Sequence, residues 1–378
     1  MPFAAALSEH PLAAHATGEV VGRLLEALDG PPDVAVLVVS GGHVRQFAQI
    51  AAAVRSTLAP GALVGATSIG VLAGDREVTD HASIALWAGS GVGATAVRLE
   101  PGAGPEGPTL AGLPEDPPSS ASVLVLLGGA AFPIEDALAV IAERFGDLDV
   151  VGGLVSAGVR PGDDQLVCDD RIVTTGAVGV LLDPPRPVSI VVSPGCRPIG
   201  TPLVVTRAEG ATIFELAGRP VLDRLDEVLL ALDEHEQGVV ADGLHLGRVI
   251  DEHRAEFGPG DFVMRPVIDV DRPGRSIVVA EPIEVGATVQ FQVRDAAAAD
   301  QDLRARLAGK AGAGALVFAG SGRGMRLSGE ADRDAELISV VVDRGAAAGA
   351  FCTAVVASSG SPAVDGASSA VVVLFHDR

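Results

Sequence analysis

The chain has 378 residues, 48% of them hydrophobic and 20% charged, with a formal net charge of −22 at pH 7, no tyrosine and a single tryptophan, Trp87. That length suits two domains, and the hydrophobic share is that of a folded chain rather than a disordered one. The acidic balance excludes nucleic acid and anionic membrane surfaces as partners, since both are held by lysine and arginine, and the few aromatic rings leave no platform on which bases would stack.

No apolar run reaches the roughly 18 residues that a membrane span needs. The opening MPFAAALSEHPLAAHATGEVVGRLLEAL has no basic start and carries Glu9, so it does not read as a secretory signal, and a cytoplasmic location is expected. Cys168, Cys196 and Cys352 are odd in number and far apart, which fits neither a disulfide framework nor a zinc site. Buried reduced thiols are expected for at least two of the three, with no cofactor and no metal.

In chain order, VAVLVVSGG (34–42) reads as a buried strand ending in a glycine pair. A helix follows with Val44, Phe47, Ala51, Val54 and Leu58 on one face, and LVGATSIGVLA (63–73) returns to strand. The stretch PGAGPEGPTLAGLPEDPPSS (101–120) reads as a long exposed loop. Then SVLVLLGG (122–129) leads to a helix carrying Ile134, Ala137, Leu138, Ile141 and Phe145, and VVGGLVSAG (150–158) is the next strand. Gly41 to Gly65 and Gly128 to Gly152 are both 24 residues, the mark of an internal repeat. A looser third copy starts at GALVFAG (314–320), passes a helix near Asp334–Val342 and returns at GAFCTAVVAS (349–358). There Gly320 to Gly349 is 29 residues, so five have been gained, in the opening stretch between strand and helix.

The repeated unit is strand, glycine turn, helix, strand, and a turn into a further strand, with Asp75 and Gly162–Asp164 supplying those last turns. The expected class is α/β: two domains of strand–helix–strand–strand units, in mixed sheets flanked by helices, an arrangement that allows a helix–sheet–sheet–helix stack. DPPRP (183–187) is the best linker, because three prolines in five residues resist both helix and central strand, and it divides the chain into 1–185 and 186–378. Three short strands follow it. After them comes a helix striped by Val221, Leu222, Leu225, Val228, Leu229 and Leu232, with Pro220 at its start.

Taken in order, five stretches resemble the FIST family. They are VGATSIGVLAGDREVTDHASIALWA (64–88), SPGCRPIGTPLVVTRAEGATIFELAGRPVLDRLDEVL (193–229), FVMRPVIDVDRPGRSIVVAEPIEVGATVQFQVRD (262–295), ALVFAGSGRG (315–324) and GAFCTAVVASSG (349–360). The resemblance implies a FIST N-terminal domain over 1–185, a FIST C-terminal domain over 186–378, and an intracellular sensory module. Such a module binds a small ligand (an amino acid, a derivative or another carboxylate) and feeds a downstream signalling protein.

Candidate chemistry gathers at a few positions. GSGRG (320–324) completes neither the dinucleotide fingerprint nor a nucleoside-triphosphate loop. Its glycines would let a ligand approach the backbone, and Arg323 would offer a planar fork to a carboxylate; alternatively Arg323 is a turn arginine paired with Asp332 or Asp334. Ser68, in ATSIG, lacks the helix that a nucleophile elbow needs. With Thr67 and Ser156 it either lines a pocket at strand ends or fills a tight corner. Cys352 has no histidine nearby in sequence to lower its pKa. Arg265 lies in an apolar strand and calls for a buried anion, either a ligand carboxylate or a structural aspartate. His245 and His253 are expected on the surface.

The reading that results is non-catalytic binding of a small anionic metabolite at strand ends between the two domains, signalled by domain closure. Arg323 and Arg265 would neutralise it, Gly320, Gly322 and Gly324 would make room, and Ser68, Cys352 and Thr353 would shape the wall. A small-molecule hydrolase or transferase using Ser68 or Cys352, and a protein-interaction scaffold, stay open beside it.

Overall fold

The computed structural model describes residues 2–105, 107–115, 122–146, 148–157, 164–254, 256–258, 261–358, 362–365 and 368–377. Runs such as VAVLVVS and VLVLLGG become strands buried along nearly their whole length, because small and β-branched aliphatic side chains suit a pleat covered on both faces. The helices are α1 (Ala13–Ala27), α2 (Phe47–Leu58), α3 (Ile134–Phe145), α4 (Val221–Leu230), α5 (Glu234–Gly243), α6 (Ala296–Leu307), α7 (Met325–Ser328) and α8 (Arg333–Ser339). The class is the mixed α/β one that the sequence predicts. Two compact units form, one of Met1–Val192 with Leu303–Arg378 and one of Ser193–Asp302.

Among the described residues the first unit holds three mixed sheets. The first runs Phe3–Ser8, Ser83–Gly89, Val34–Ser40, Ala62–Ser68, Leu166–Cys168, Arg171–Val173. The second runs Pro362–Asp365, Ala354–Ser358, Asp149–Val155, Val123–Gly129, Ala177–Asp183, Gly93–Gly104, Gly107–Ala111. The third runs Ser189–Ser193, Ala370–Phe375, Gly314–Gly320, Ala347–Cys352, Val71–Ala73, Arg76–Val78.

Each sheet is centred on a parallel pair: Val34–Ser40 with Ala62–Ser68, Val123–Gly129 with Asp149–Val155, and Gly314–Gly320 with Ala347–Cys352. Past the second strand of each pair, the chain enters a different sheet. Ala62–Ser68 continues as Val71–Ala73 in the third, Asp149–Val155 is followed by Leu166–Cys168 in the first, and Ala347–Cys352 continues as Ala354–Ser358 in the second. The inner faces of all three sheets share one core that includes Val36, Val64, Val125, Val151, Phe318 and Phe351. Outer faces are covered by helices: Phe47, Ile50, Ala51, Val54 and Leu58 of α2 pack with α1 on the first sheet, and Ile134, Ala137, Leu138 and Ile141 of α3 pack on the second.

At each parallel pair a glycine lies directly opposite its partner residue: Gly65 opposite Leu37, Gly152 opposite Leu126, Gly349 opposite Val317. A methyl group at any of these glycines would overlap the partner's carbonyl oxygen. Only a residue without Cβ permits that approach.

Two regions differ from the sequence reading. Part of the 101–120 stretch is paired rather than looped, as Gly93–Gly104 and Gly107–Ala111 form an antiparallel hairpin with Pro101 opposite Leu110. Pro101 lies past Leu99, where pairing with Ala177–Asp183 ends, and Pro108 is in the outer strand that ends the second sheet, so each proline has a side with no ladder partner to lose. Residues 116–120, and 162 and 163 of the expected turn at Gly162–Asp164, lie outside the described residues. DPPRP leads from Ala177–Asp183 to Ser189–Ser193, an edge strand of the third sheet.

In the second unit the strand path runs Cys196–Pro198, Thr288–Arg294, Leu203–Glu209, Thr212–Leu216, Ser276–Val279, Phe262–Asp271, Leu244–Val249. The last strand also pairs with Thr288–Arg294, which closes the sheet into a barrel around Val205, Ile213, Leu246, Ile277 and Phe291. Val221 and Leu225 of α4 belong to that core. His245, expected on the surface, sits in a barrel strand paired on both sides and is buried, and burial lowers its pKa; His253 is exposed.

Substituting Ala at Gly152 or Gly349 is expected to cost about 2–4 kcal/mol in urea unfolding, since neither the added methyl nor the facing carbonyl has room to move. Gly18→Ala and Gly22→Ala in α1, where nothing lies within 4 Å of an added Cβ, are expected to stabilise by about 0.5–1 kcal/mol.

Candidate functional site

The GSGRG turn is folded back on the protein. Gly320 N donates to Ser369 O at 2.7 Å, Ser321 N to Cys352 O at 2.7 Å, and Arg323 N to Gly320 O at 2.8 Å. The Arg323 side chain is fully buried. Its Nε and Nη2 donate to the Asp334 carboxylate at 2.7 and 2.9 Å, and Nη1 donates to Ser368 O at 3.3 Å. Of the two readings of Arg323, this is the pair with Asp334, but in the interior rather than in solvent. Gly322 is buried too, and Gly324 has a left-handed φ of +59°, with Glu77 Oε2 2.5 Å from where its Cβ would be. The room these glycines provide is taken up by the protein's own groups.

The strand crossings bring Ser68, Cys352 and Thr353 close to the predicted small-residue corners, and backbone fills the space. Ser68 Oγ donates to Phe351 O at 2.6 Å with no exposed surface, and Phe351 N donates to Gly70 O at 3.1 Å. Thr353 N and Oγ1 both donate to Leu154 O, at 2.8 and 3.1 Å. Cys352 is fully buried, and a methyl on Gly153 would stand 2.6 Å from its Sγ. Burial pushes the Cys352 thiol far above its ordinary range, so it is held as the thiol. Neither Ser68 nor Cys352 is arranged as a nucleophile. Arg265 belongs to the second unit, where Nη2 meets Glu281 Oε2 at 2.6 Å; its structural partner is a glutamate, not the aspartate expected.

The concave site lies elsewhere in the first unit. A cleft of about 690 Å³ is lined by Ser8 and Glu9, by Glu19 and Arg23 of α1, by Gly74–Arg76, and by Ser339, Val342 and Arg344. Three guanidinium groups reach it. Arg76 is committed, with Nη2 3.2 Å from Glu9 Oε1 and Nε 3.1 Å from Asp332 Oδ2. Arg23 Nη1 donates to Leu7 O at 2.9 Å. Arg344 is exposed and holds a left-handed φ of 50°. Among the described residues neither Arg23 nor Arg344 forms an ion pair. On the acidic side, Ser8 Oγ donates to Glu19 Oε2 at 2.6 Å. His81 bridges Glu9 at 2.6 Å and Asp80 at 2.7 Å, and the hydrogen bond to Glu9 raises its pKa.

Next to the cleft wall stands Glu77, which sequence reading did not single out. Its Oε1 accepts from Ala335 N at 2.9 Å, and its own N–H donates to Asp332 Oδ1 at 2.7 Å. Burial, and then the nearby Asp334 charge, push its carboxyl up to about 7. The only trace in sequence is its place beside Arg76 just after the Gly74–Asp75 turn. Its burial comes from a segment some 250 positions away.

Among the described residues no helix is long and apolar enough to cross a membrane, and no group of three or more His, Cys, Asp or Glu is placed to hold a metal ion. Mixed sheets around a common core, with a polar cleft at their rim, place the chain among α/β proteins with concave polar sites. It belongs to the FIST family, a family of small-ligand sensory modules: the FIST N domain matches residues 33–219 and the FIST C domain residues 222–354. An uncharacterized protein of Mycobacterium tuberculosis (strain ATCC 25618 / H37Rv) is 41% identical over 333 residues, 86% of this chain and 85% of that protein. One from Mycobacterium bovis (strain ATCC BAA-935 / AF2122/97) is 39% identical over 376 residues, 97% of each chain.

Arg323→Ala and Asp334→Ala should each lower the unfolding free energy by about 3–5 kcal/mol, because each leaves a buried charge without its partner. The double variant should lose clearly less than the sum. Additivity within about 0.5 kcal/mol in a urea-unfolding cycle would show the two groups to be uncoupled.

Proposed function

We propose that this chain is a sensory module whose small ligand is anionic and binds in the cleft reached by Arg23, Arg76 and Arg344. One observation carries the reading: in a chain of net charge −22, two guanidinium groups without carboxylate partners converge on one cleft of about 690 Å³. The lining also carries the carboxylates of Glu9, Glu19 and Asp75, so its attraction for a small anion rests on Arg23 and Arg344, which no carboxylate pairs among the described residues. A guanidinium fork matches a carboxylate or phosphate in geometry. The volume suits a metabolite-sized ligand. The lining comes from residues 5–76 and 339–345, so it draws on both expected sequence domains, 1–185 and 186–378, within a single compact unit.

Signalling in this reading is a shift of the cleft wall formed by the end of α8 and the turn Asp343–Gly345, passed to a downstream protein. We also infer that the three parallel pairs are copies of one ancestral unit. The support is that Gly65, Gly152 and Gly349 occupy the same place in each.

Thermal-shift titration with dicarboxylates and phosphate esters, combined with mass spectrometry of small molecules released from the purified protein, tests the ligand class. Arg344→Ala is expected to leave the unliganded melting temperature close to that of the native protein and to weaken the stabilising anion about tenfold or more. Stabilisation unchanged by that substitution removes Arg344, and the cleft with it, from the binding site.

A further inference from the structure

Arg76–Val78 is the edge strand of the third sheet, and Glu77 faces the chain that runs from the GSGRG turn into α8. The charged groups around Glu77 are Asp334 on α8, Asp332 at the start of that helix, Arg323 in the turn and Arg76 beside it on the strand. Both cations are already engaged, Arg323 by Asp334 and Arg76 by Asp332 and Glu9. Glu77 itself forms no ion pair among the described residues. Its carboxyl is held by the backbone N–H groups of Ala335 and Asp334 at the start of α8, and Oε2 lies close to Gly324; the two donors favour the ionised form, but burial and the Asp334 charge outweigh them. Across the ladder its strand neighbour is Leu72, which is buried and apolar. A carboxyl in such a place is tolerated neutral and resisted ionised, because ionisation puts a third negative charge beside Asp332 and Asp334 with no cation to spare.

We propose that Glu77 is a proton-operated catch: neutral, it lets α8 and the turn after it close one wall of the cleft; ionised, it is repelled by Asp334 and Asp332 and that wall loosens. The effect on the ligand rests on the cleft being the binding site, while the loosening of α8 does not. The sign follows from the direction of the shift. A carboxyl raised from 4.5 to about 7 favours the closed form fully below pH 4.5 and loses that contribution as the pH rises through about 7. If the opened segment restores an ordinary carboxyl, its open population is about tenfold larger at pH 8 than at pH 6.

Amide hydrogen exchange on the full chain without ligand, at pH 6 and pH 8 and corrected for the intrinsic pH dependence of exchange, reads this directly. Peptides covering Arg333–Ser339 should lose about tenfold in protection at the higher pH, Glu77→Gln should abolish that loss, and the Val34–Ser40 strand should not change in either protein. Equal protection at both pH values in the native chain, or the same loss in Glu77→Gln, overturns the catch. Should Glu77→Gln fail to fold, carboxyl carbon shifts of the native protein decide: one glutamate titrating near 7 upholds the catch, and all glutamates titrating below about 5.5 rule it out. Because no ligand is present, failure here leaves the cleft reading to its own test with Arg344→Ala.

Discussion

A backbone carbonyl occupies the space of an absent side chain at Gly65, Gly152 and Gly349, and the first unit depends on that approach. Each glycine sits in the second strand of a parallel pair, a few residues before the chain enters a different sheet. A strand that passes between two sheets must lie close to its partner and then swing away, and a Cβ at that point would hold the pair apart. Because the three exchanges pass around in one direction, first sheet to third, third to second and second to first, no sheet is complete without strands from another part of the chain. The shared core of Val36, Val125 and Phe318 is the consequence.

That exchange leaves little space where the strands cross. Ser68 Oγ is taken up by Phe351 O and Cys352 is sealed against Gly153, so neither reaches solvent; Thr353 is exposed, with its Oγ1 donating to Leu154 O. The concave surface appears further out, where the Gly74–Arg76 turn meets the end of α8. One buried ion pair ties α8, whose last residue lines the cleft, to the GSGRG turn. Removing a guanidinium and a carboxylate from water is costly, and the cost is tolerable only when donors and acceptors are nearly all matched. Arg323 meets that condition with two bonds to Asp334 and one to Ser368, which ties the GSGRG turn to α8. Glu77, packed against the same place, has the Ala335 and Asp334 N–H donors but no cation, and burial holds its carboxyl above the ordinary range.

Much of the fold was legible in the residues, for a local reason. Phe47, Ala51, Val54 and Leu58 recur at helical spacing, and all four are buried in α2. VAVLVVS has no polar residue before its final serine, and it is buried on both faces. Gly65 and Gly152 are both points of contact between strand backbones, but the equal spacing from Gly41 and Gly128 does not mark equivalent places, since Gly41 lies four residues past Leu37 and Gly128 two past Leu126. The 101–111 hairpin was hidden because proline and glycine signal loops, and proline's missing N–H is harmless only where no ladder partner faces it. His245 was hidden because HLGRVIDEH mixes charged and apolar residues, while closure of the barrel covers the strand that holds it.

The site was less legible, because electrostatic roles depend on neighbours distant in sequence. Arg323 was conspicuous from its glycines, and Asp334 was already one of its two candidate partners. Whether that pair lay in water or in the core is decided by the Ser368 segment and by α8 folding over it. Nothing local links Arg23, Arg76 and Arg344, which are separated by 53 and then 268 positions. By itself, then, the sequence determined the class and most of the secondary elements, since those follow from local periodicity. The tertiary structure alone decided which charges are buried, which are paired and which converge on a cleft, because Coulomb energy and desolvation depend on distances between residues that only the folded chain brings together.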